Sequence, residues 1–411
     1  SHFAFEPTLF FRSPPSMRRI ALPLSLLLAL AACGPEPSEQ SDTITIEFWT
    51  IALGDAFGNR LESKLTALKK SGVGDRVDVV PEMRFSGFDN FKHVADNVDV
   101  VLLATPPHIR PQHLRYAVEA GKHVFVEKPV AVDAPGIRSV LQSCEMAAKK
   151  NLSIVSGLCW RYHRGMRETF ARVHDGTIGE ITAMQCSYNS GGVWEPRVTR
   201  DKCKSEMEYQ MRNWYYYTWL SGDFNVEQHV HSLDKMGWAM QDKPPIHASG
   251  SGGRQQRTEA KYGNIFDHFN IVYEYENGVK AFARCRHFRG CANDVTDHIF
   301  GTKGRVDVMR YRIYDMAGKE IWRFKGRSKS MYQVEHDEFF ASIRSGKPIN
   351  NGDYMSKSSM LGIMGRTTAY TGKQLSWDQM MNSKQSLKPP KYDFGELERR
   401  PVAIPGVTPF V

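Results

Sequence analysis

Three side chains have the types and the spacing that proton transfer requires. Lys128 is the middle residue of Glu127-Lys128-Pro129, and Glu227 lies four residues before His231. Positions i and i+4 share one face of a helix, so we expect the Glu227 carboxylate to hydrogen-bond to the His231 imidazole and raise its basicity. A histidine held in this way suits a general base near neutral pH. The alternative is a buried structural histidine with a salt-bridged partner.

The elements around Lys128 form a predicted strand–helix–strand unit. Residues 98–104 are an apolar run typical of a strand buried on both faces, and a helix is predicted to begin at Pro111 and end at Gly121. A second short strand over residues 123–126 then delivers Lys128 to its carboxyl end. Ligands of such units lie beyond the carboxyl ends of the strands, so we expect Lys128 to meet a ligand. A surface lysine before an ordinary turn proline is the alternative.

Three segments carry a family resemblance: Ala104-Thr105-Pro106-Pro107, the run from Gly121 to Pro129, and Glu227-Gln-His-Val-His231-Ser-Leu-Asp234. They resemble motifs of the glucose–fructose oxidoreductase, inositol dehydrogenase and rhizopine-catabolism family, written Gfo/Idh/MocA. The similarity runs from about Leu53 to the C-terminus. It implies a nicotinamide-dinucleotide Rossmann domain, a following α+β domain on an open sheet, and oxidoreduction of sugars, polyols or related molecules.

The resemblance implies a cofactor site at the strand ends. The cofactor-binding residues would be Asp55, Ala104, Thr105, Pro106, Glu127, Lys128 and Pro129. Asp55 would be the ribose-binding carboxylate, which favours NAD, although NADP remains possible; a helix N-cap is its alternative role. Arg110 stands where family members often carry histidine, so nearby cofactor contacts are expected to differ.

The resemblance also implies the catalytic roles. Lys128 and His231 would share proton transfer and polarisation of the substrate oxygen, and Glu227, where the family usually has Asp, would orient His231. The substrate-binding residues would be Arg161, Tyr162, His231 and Asp234. The substrate would be a small sugar or polyol, and no metal site is predicted.

The first 43 residues have the pattern of an export signal. Met17-Arg18-Arg19 precedes an apolar run over residues 20–32, which ends in Leu-Ala-Ala before Cys33. A basic start, a short apolar segment and small residues before the cut indicate a secretory signal. This ending resembles a bacterial lipoprotein signal with Cys33 as the lipid anchor, which predicts a periplasmic or membrane-anchored protein. A chance or foreign leader is the alternative, and then the protein would be cytoplasmic.

The pyrophosphate-binding glycine cluster of a Rossmann domain is not found before residue 98. Gly54 and Gly58 have the wrong spacing for Gly-x-Gly-x-x-Gly. Residues 49–55 instead read as the second Rossmann strand, ending in Asp55. We therefore expect an incomplete Rossmann domain behind a foreign head, and NAD binding beyond the millimolar range, at about −4 kcal/mol or weaker.

Length and composition agree with two soluble domains. The chain has 411 residues, 41% of them hydrophobic and 24% charged, and its net charge of +9 is spread along the sequence. No stretch resembles a nucleic-acid-binding module. The predicted fold class is α/β: an incomplete, doubly wound parallel Rossmann sheet over residues 44–156, then an α+β domain with a large, mostly antiparallel open sheet over 157–388.

Residues 389–411 form a proline-rich arm, which we expect to lie on a neighbouring subunit of a homo-oligomer. Three other functions remain open for the whole chain. They are an NAD-using glycosidase of the same fold, a non-catalytic lipid-anchored sugar-binding protein, and an inactive fusion.

Overall fold

The computed structural model describes residues 65–67, 69–72, 74–77 and 79–411. Cys33, Asp55 and the strand predicted over residues 49–55 lie outside the described residues. The lipid anchor, the ribose-binding carboxylate and the incomplete first domain therefore stay predictions.

The first part of the described chain is a three-stranded parallel sheet in the order β1-β2-β3. Its elements are α1 (Asn90–Asp96), β1 (Val100–Leu103), α2 (Arg110–Glu119), β2 (His123–Val126), α3 (Ala134–Lys149) and β3 (Ile154–Ser156). Leu103 pairs with Val126, so β1 and β2 end at the same edge. The predicted strand–helix–strand unit is confirmed.

The second part is a nine-stranded sheet in the order β11-β10-β9-β8-β4-β7-β6-β5-β12. The strands are β4 (Ile181–Ser190), β5 (His247–Gly253), β6 (His268–Glu274), β7 (Lys280–His287), β8 (Asp294–Gly301), β9 (Gly304–Asp307), β10 (Arg312–Asp315), β11 (Glu320–Arg323) and β12 (Leu375–Ser376). Among the described strands of this sheet, only β4 and β7 pair in parallel. The expected large, mostly antiparallel sheet is confirmed.

Some helices of the second part pack on this sheet, and two of them contact β3 of the first sheet. They are α4 (Arg164–His174), α5 (Glu206–Arg212), α6 (Thr218–Ser221), α7 (Phe224–Glu227), α8 (Val230–Ala239), α9 (Met331–Arg344), α10 (Gly352–Thr371) and α11 (Trp377–Asn382). Helix α10 is buried along most of its length and packs on β5 and β6, on α3, and on α7 and α8. No helix in the described part of the chain is both long and apolar enough to cross a membrane.

The junction of the two parts is held by backbone and side-chain hydrogen bonds. Ile154 of β3 accepts from the amide of Asn351 at 2.9 Å, and the Asn351 side chain accepts from the amide of Ser156 at 2.9 Å. The last strand of the parallel sheet is therefore tied to the start of α10. Beyond the carboxyl end of β2, Lys128 contacts Glu227 of α7.

The C-terminal arm packs on its own chain, and its contact with a neighbouring subunit of a homo-oligomer stays a prediction. The Tyr392 hydroxyl is 2.7 Å from Nε2 of buried His108, and Arg399 is 3.0 Å from the Glu206 carboxylate. The amide of Met207 donates to the carbonyl of Gly395 at 3.3 Å. The aromatic and charged side chains of the arm find partners within the chain, and this is why the arm folds back.

Candidate active site

Lys128 reaches from the first sheet to helix α7. Its ammonium donates to the main-chain carbonyl of Glu227 at 2.6 Å and to Glu227 Oε1 at 3.1 Å. The Lys128 and Glu227 side chains are only 13% and 9% exposed. The structure therefore brings together two of the three predicted catalytic residues, in a nearly buried ion pair.

Glu227 and His231 do not form the hydrogen bond expected from their spacing. Glu227 ends α7, whereas His231 belongs to α8, which begins at Val230, so the two residues do not share one continuous helix. Glu227 Oε1 accepts from Lys128, and Glu227 Oε2 has no partner in the described part of the chain. The prediction that Glu227 orients His231 is corrected: Glu227 holds Lys128 instead.

His231 is a neutral imidazole in this environment. Burial lowers its pKa well below the ordinary value of 6.5, and the positive charges of Lys128 and Lys235 lower it further. The expected rise in basicity is therefore reversed. Within the described chain Nδ1 of His231 is buried without a hydrogen-bond partner, which is the kind of unsatisfied group that a bound ligand can complete.

The strand ends carry the predicted cofactor-binding residues. Ala104, Thr105 and Pro106 follow β1, and Glu127 follows the adjacent end of β2. Thr105 is 6% exposed, and its Oγ1 is buried with no partner among the described residues. An unsatisfied hydroxyl at the carboxyl end of a parallel strand fits a site that a polar ligand completes.

Arg110 holds the loop that carries Lys128. Its guanidinium donates to the carbonyl of Glu127 at 3.0 Å and to the carbonyl of Pro129 at 2.6 Å. The Glu127 carboxyl group packs against Gly157, where a Cβ would come within 2.5 Å of it. Burial raises the pKa of Glu127 although Arg110 and Lys128 lower it. Arg110 and Glu127 therefore fix the conformation of the loop that carries Lys128.

Three predicted substrate-binding residues are engaged within the fold. Arg161 donates to Asp234 at 2.8 Å and to Asp242 at 2.6 Å, and Ser358 donates to the same Asp234 oxygen. Tyr162 donates its hydroxyl proton to Asn351 at 2.8 Å. These contacts place Arg161, Tyr162 and Asp234 in buried networks that support the site, and their binding of substrate stays a prediction.

Several polar groups near the site were not found by sequence reasoning. Gln228 donates to the Tyr188 hydroxyl at 2.8 Å, and the buried Tyr215 hydroxyl has no partner in the described chain. Burial raises the pKa of both tyrosines, and the Glu227 charge raises each further. The signal for Tyr188 was its strand position, since it alternates in phase with buried Met184 on β4.

A second buried lysine lies one helical turn after His231. Lys235 is 1% exposed, and its ammonium is 2.5 Å from Asp297 Oδ2 on β8 and 5.0 Å from the centre of the Trp160 ring. Burial raises the pKa of Asp297, and Lys235 opposes that rise. The Lys235 charge lowers the pKa of His231, after burial and after the charge of Lys128.

Two family models match the sequence. One, described as an oxidoreductase family with an NAD-binding Rossmann fold, covers residues 52–156, and the GFO/IDH/MocA C-terminal domain covers residues 166–307. An inositol 2-dehydrogenase of Pseudomonas syringae pv. syringae is 34% identical over 262 residues, which are 61% of this chain and 69% of that protein. This chain belongs to the Gfo/Idh/MocA family. It is an oxidoreductase with a Rossmann domain for a nicotinamide cofactor.

Two further proteins are similar to this chain. An inositol 2-dehydrogenase/D-chiro-inositol 3-dehydrogenase of Halalkalibacterium halodurans is 26% identical over 328 residues, 74% of this chain and 85% of that protein. The crystal structure of aldose-aldose oxidoreductase from Caulobacter crescentus, in complex with glycerol, matches with a TM-score of 0.59 at 19% identity. That match covers 76% of this chain and 88% of the other, and it shows a shared fold.

The two Gfo/Idh/MocA regions divide the site between them. The Rossmann match contains Lys128 and ends with β3, whereas the C-terminal match contains Glu227 and His231. The Lys128–Glu227 ion pair therefore joins one family region to the other. A reaction centre at this pair needs side chains from both.

Proposed function

We propose that this chain transfers hydride between NAD and a hydroxyl-bearing carbon of a sugar or polyol. The observation that carries the proposal is the nearly buried Lys128–Glu227 ion pair. The Lys128 charge in this pair lowers the pKa of His231, which is neutral. The relatives named as inositol dehydrogenase and aldose-aldose oxidoreductase support a sugar or polyol as substrate. Asp55, as a ribose-binding carboxylate, supports NAD rather than NADP.

The residues at the strand ends fit a dinucleotide. Thr105 offers an unsatisfied buried hydroxyl, and Lys128 offers a cation at the neighbouring strand end. When bound, the nicotinamide ring supplies the hydride acceptor for alcohol oxidation. Thr105, with the backbone of Ala104 and Pro106, would hold the cofactor beside Lys128.

Lys128 is suited to stabilise the substrate oxygen. An ammonium has three N–H donors, and Glu227 receives two of them, through its carbonyl and its carboxylate. The third donor has no partner among the residues that the structure describes. It would donate to the substrate hydroxyl and stabilise the negative charge that develops on that oxygen as hydride leaves the adjacent carbon.

His231 is suited to accept the proton. Its imidazole is neutral because burial and two lysine charges lower its pKa, so a nitrogen lone pair is available at neutral pH. In oxidation the substrate O–H bond breaks, its proton passes to His231, and hydride leaves carbon with its electron pair. The product is a carbonyl compound. In reduction His231 returns the proton.

Cofactor and substrate assays test this proposal. The purified protein is titrated with NADH and NADPH by calorimetry, and NADH formation is then measured with NAD and myo-inositol or glucose. We expect NADH to bind more tightly than NADPH, and Asp55→Ser to narrow that difference. Tighter binding of NADPH would overturn the NAD assignment, and a lack of NADH formation even at NAD concentrations above the millimolar range expected for its dissociation would overturn the proposed hydride transfer.

We also propose that residues 17–33 direct export and that Cys33 carries the lipid. Metabolic labelling with a radioactive fatty acid in a bacterial host tests this, with Cys33→Ser as the control. Label in the wild type alone supports the anchor, whereas label in neither protein contradicts it.

A further inference from the structure

Asp223, immediately before α7, has a backbone conformation that side chains rarely adopt. Its φ is 80° and its ψ is 166°, a region that is essentially restricted to glycine. The residue is fully buried. A non-glycine residue persists in such a conformation only where its surroundings over-determine it, and such residues cluster at functional sites.

The Asp223 carboxylate is held by three donors from three segments. Oδ1 accepts from the amide of Phe224, the first residue of α7. Oδ2 accepts from the amide of Phe266, just before β6, at 2.7 Å, and from the Tyr370 hydroxyl near the end of α10. The carboxylate therefore anchors the start of α7 to the large sheet and to the central helix.

The Asp223 backbone then fixes Glu227. The carbonyl of Asp223 accepts from the amide of Val226 at 3.0 Å and from the amide of Glu227 at 2.8 Å. Helix α7 has only four residues, and a single turn cannot hold its own geometry in isolation. Its position comes from its packing on α10 and from its anchor at Asp223. The Glu227 carbonyl that receives Lys128 is the last group of this turn.

Arg366 ties the same turn to the segment that follows Lys128. Its Nη1 donates to the carbonyl of Gly222 at 3.2 Å and to the carbonyl of Val132 at 2.7 Å. Arg366 is 2% exposed and lies one helical turn before Tyr370 on α10. The segment before α7 and the segment after Lys128 are thus both hydrogen-bonded to α10.

We propose that Asp223 is a positioning residue that acts through Glu227: its carboxylate fixes α7 so that the Glu227 carbonyl and carboxylate hold the Lys128 ammonium. The catalytic consequence rests on the proposed function, whereas the placement of Lys128 does not. Substitution of Asp223 should release Lys128 even if the reaction is of another kind.

Chemical labelling of Lys128 tests the placement without any assay of turnover. The full chain is treated with an amine-acylating reagent, and the rate at Lys128 is followed by mass spectrometry. Asp223→Asn keeps the size of the side chain but puts an amide N–H donor on one of its two acceptor positions. Because a buried group that loses its hydrogen-bond partner costs roughly a factor of ten or more, we expect acylation of Lys128 to be about tenfold faster.

Asp133→Asn is the matched control. Asp133 also caps a helix with one carboxylate oxygen, through Gly136, and binds a distant backbone amide, that of Leu387, with the other. It makes no hydrogen bond to α7. We expect this variant to leave the acylation rate of Lys128 unchanged.

Tyr370→Phe removes a single donor from the Asp223 carboxylate and tests the same proposal if Asp223→Asn does not fold. We expect it to speed Lys128 acylation by a smaller factor and to lower kcat more than it raises KM. An unchanged Lys128 acylation rate in a folded Asp223→Asn protein, or in Tyr370→Phe, would overturn the proposal. If Lys128 acylation is faster in these variants but the wild type shows no turnover, the positioning role of Asp223 stands and only the proposed function is rejected.

Discussion

Lys128 and Glu227 are separated by 99 positions in the sequence, yet the Lys128 ammonium binds both the carbonyl and the carboxylate of Glu227. The ion pair is nearly buried, so each charge depends on the other for compensation. One partner follows a parallel strand and the other ends a one-turn helix. The pair therefore couples the geometry of the site to the packing of the two parts of the chain.

Glu227→Ala should cost both stability and activity. Removal of one partner leaves the Lys128 charge in a poorly hydrated environment, at a cost of about 3 kcal/mol in the free energy of unfolding. Urea unfolding measures this cost. The matched control is Asp353→Ala, which breaks an exposed ion pair with Lys357 of 2.8 Å and should change stability by less than about 1 kcal/mol. Equal losses in the two variants would mean that the Lys128–Glu227 pair is hydrated.

His231 should remain neutral well below pH 6.5. Its pKa is lowered by burial first and by Lys128 and Lys235 next, so its protonation in the folded protein occurs at lower pH than in the unfolded chain. This difference removes stability as the pH falls through the unfolded value of about 6.5. An NMR titration follows the imidazole, with exposed His174 as a second signal. Lys128→Met should raise the pKa of His231. An unchanged pKa would show that the Lys128 charge does not act on His231.

Asp234→Asn should act on stability more than on substrate affinity. Asp234 is 1% exposed and receives Arg161 and Ser358, so the loss of its charge should cost about 3 kcal/mol. Glu338→Gln, which breaks the exposed Arg167–Glu338 pair, is the control. A large rise in KM for sugar or polyol with unchanged stability would instead favour substrate binding by Asp234.

Deletion of residues 389–411 should lower the melting temperature at every protein concentration. The deletion removes the hydrogen bond between Tyr392 and buried His108. It also removes the ion pair between Arg399 and nearly buried Glu206. Val407→Ala, at a residue that is 73% exposed, should leave the melting temperature unchanged. An unchanged melting temperature in the truncated protein would show that the arm contributes nothing to its own chain.

Strong local patterns predicted the frame of the fold. The apolar run before Ala104 and the run before Glu127 became adjacent parallel strands. The Asn277-Gly278 pair turns the β6–β7 hairpin with φ values of 67° and 75°. These signals are local, so a single sequence is sufficient to read them.

Features set by tertiary contacts could not be predicted in this way. The strand β5, His247–Gly253, contains three glycines and two serines, which gives it no strand-like composition. The break between α7 and α8 leaves the spacing of Glu227 and His231 unchanged, so the sequence could not reveal it. Lys128, which binds Glu227, follows a strand of the three-stranded sheet. The positive φ of Asp223 is maintained by hydrogen bonds from Phe266 and Tyr370.

The most direct test of the account is the rate of NAD-dependent oxidation with and without Lys128. Wild type, Lys128→Met, His231→Ala and the exposed-lysine control Lys149→Met are compared for NADH formation from the same sugar or polyol. We predict that both site variants are slower by roughly a hundredfold or more, the scale of a general acid–base group, while Lys149→Met matches the wild type. Wild-type rates in Lys128→Met and His231→Ala would contradict the account.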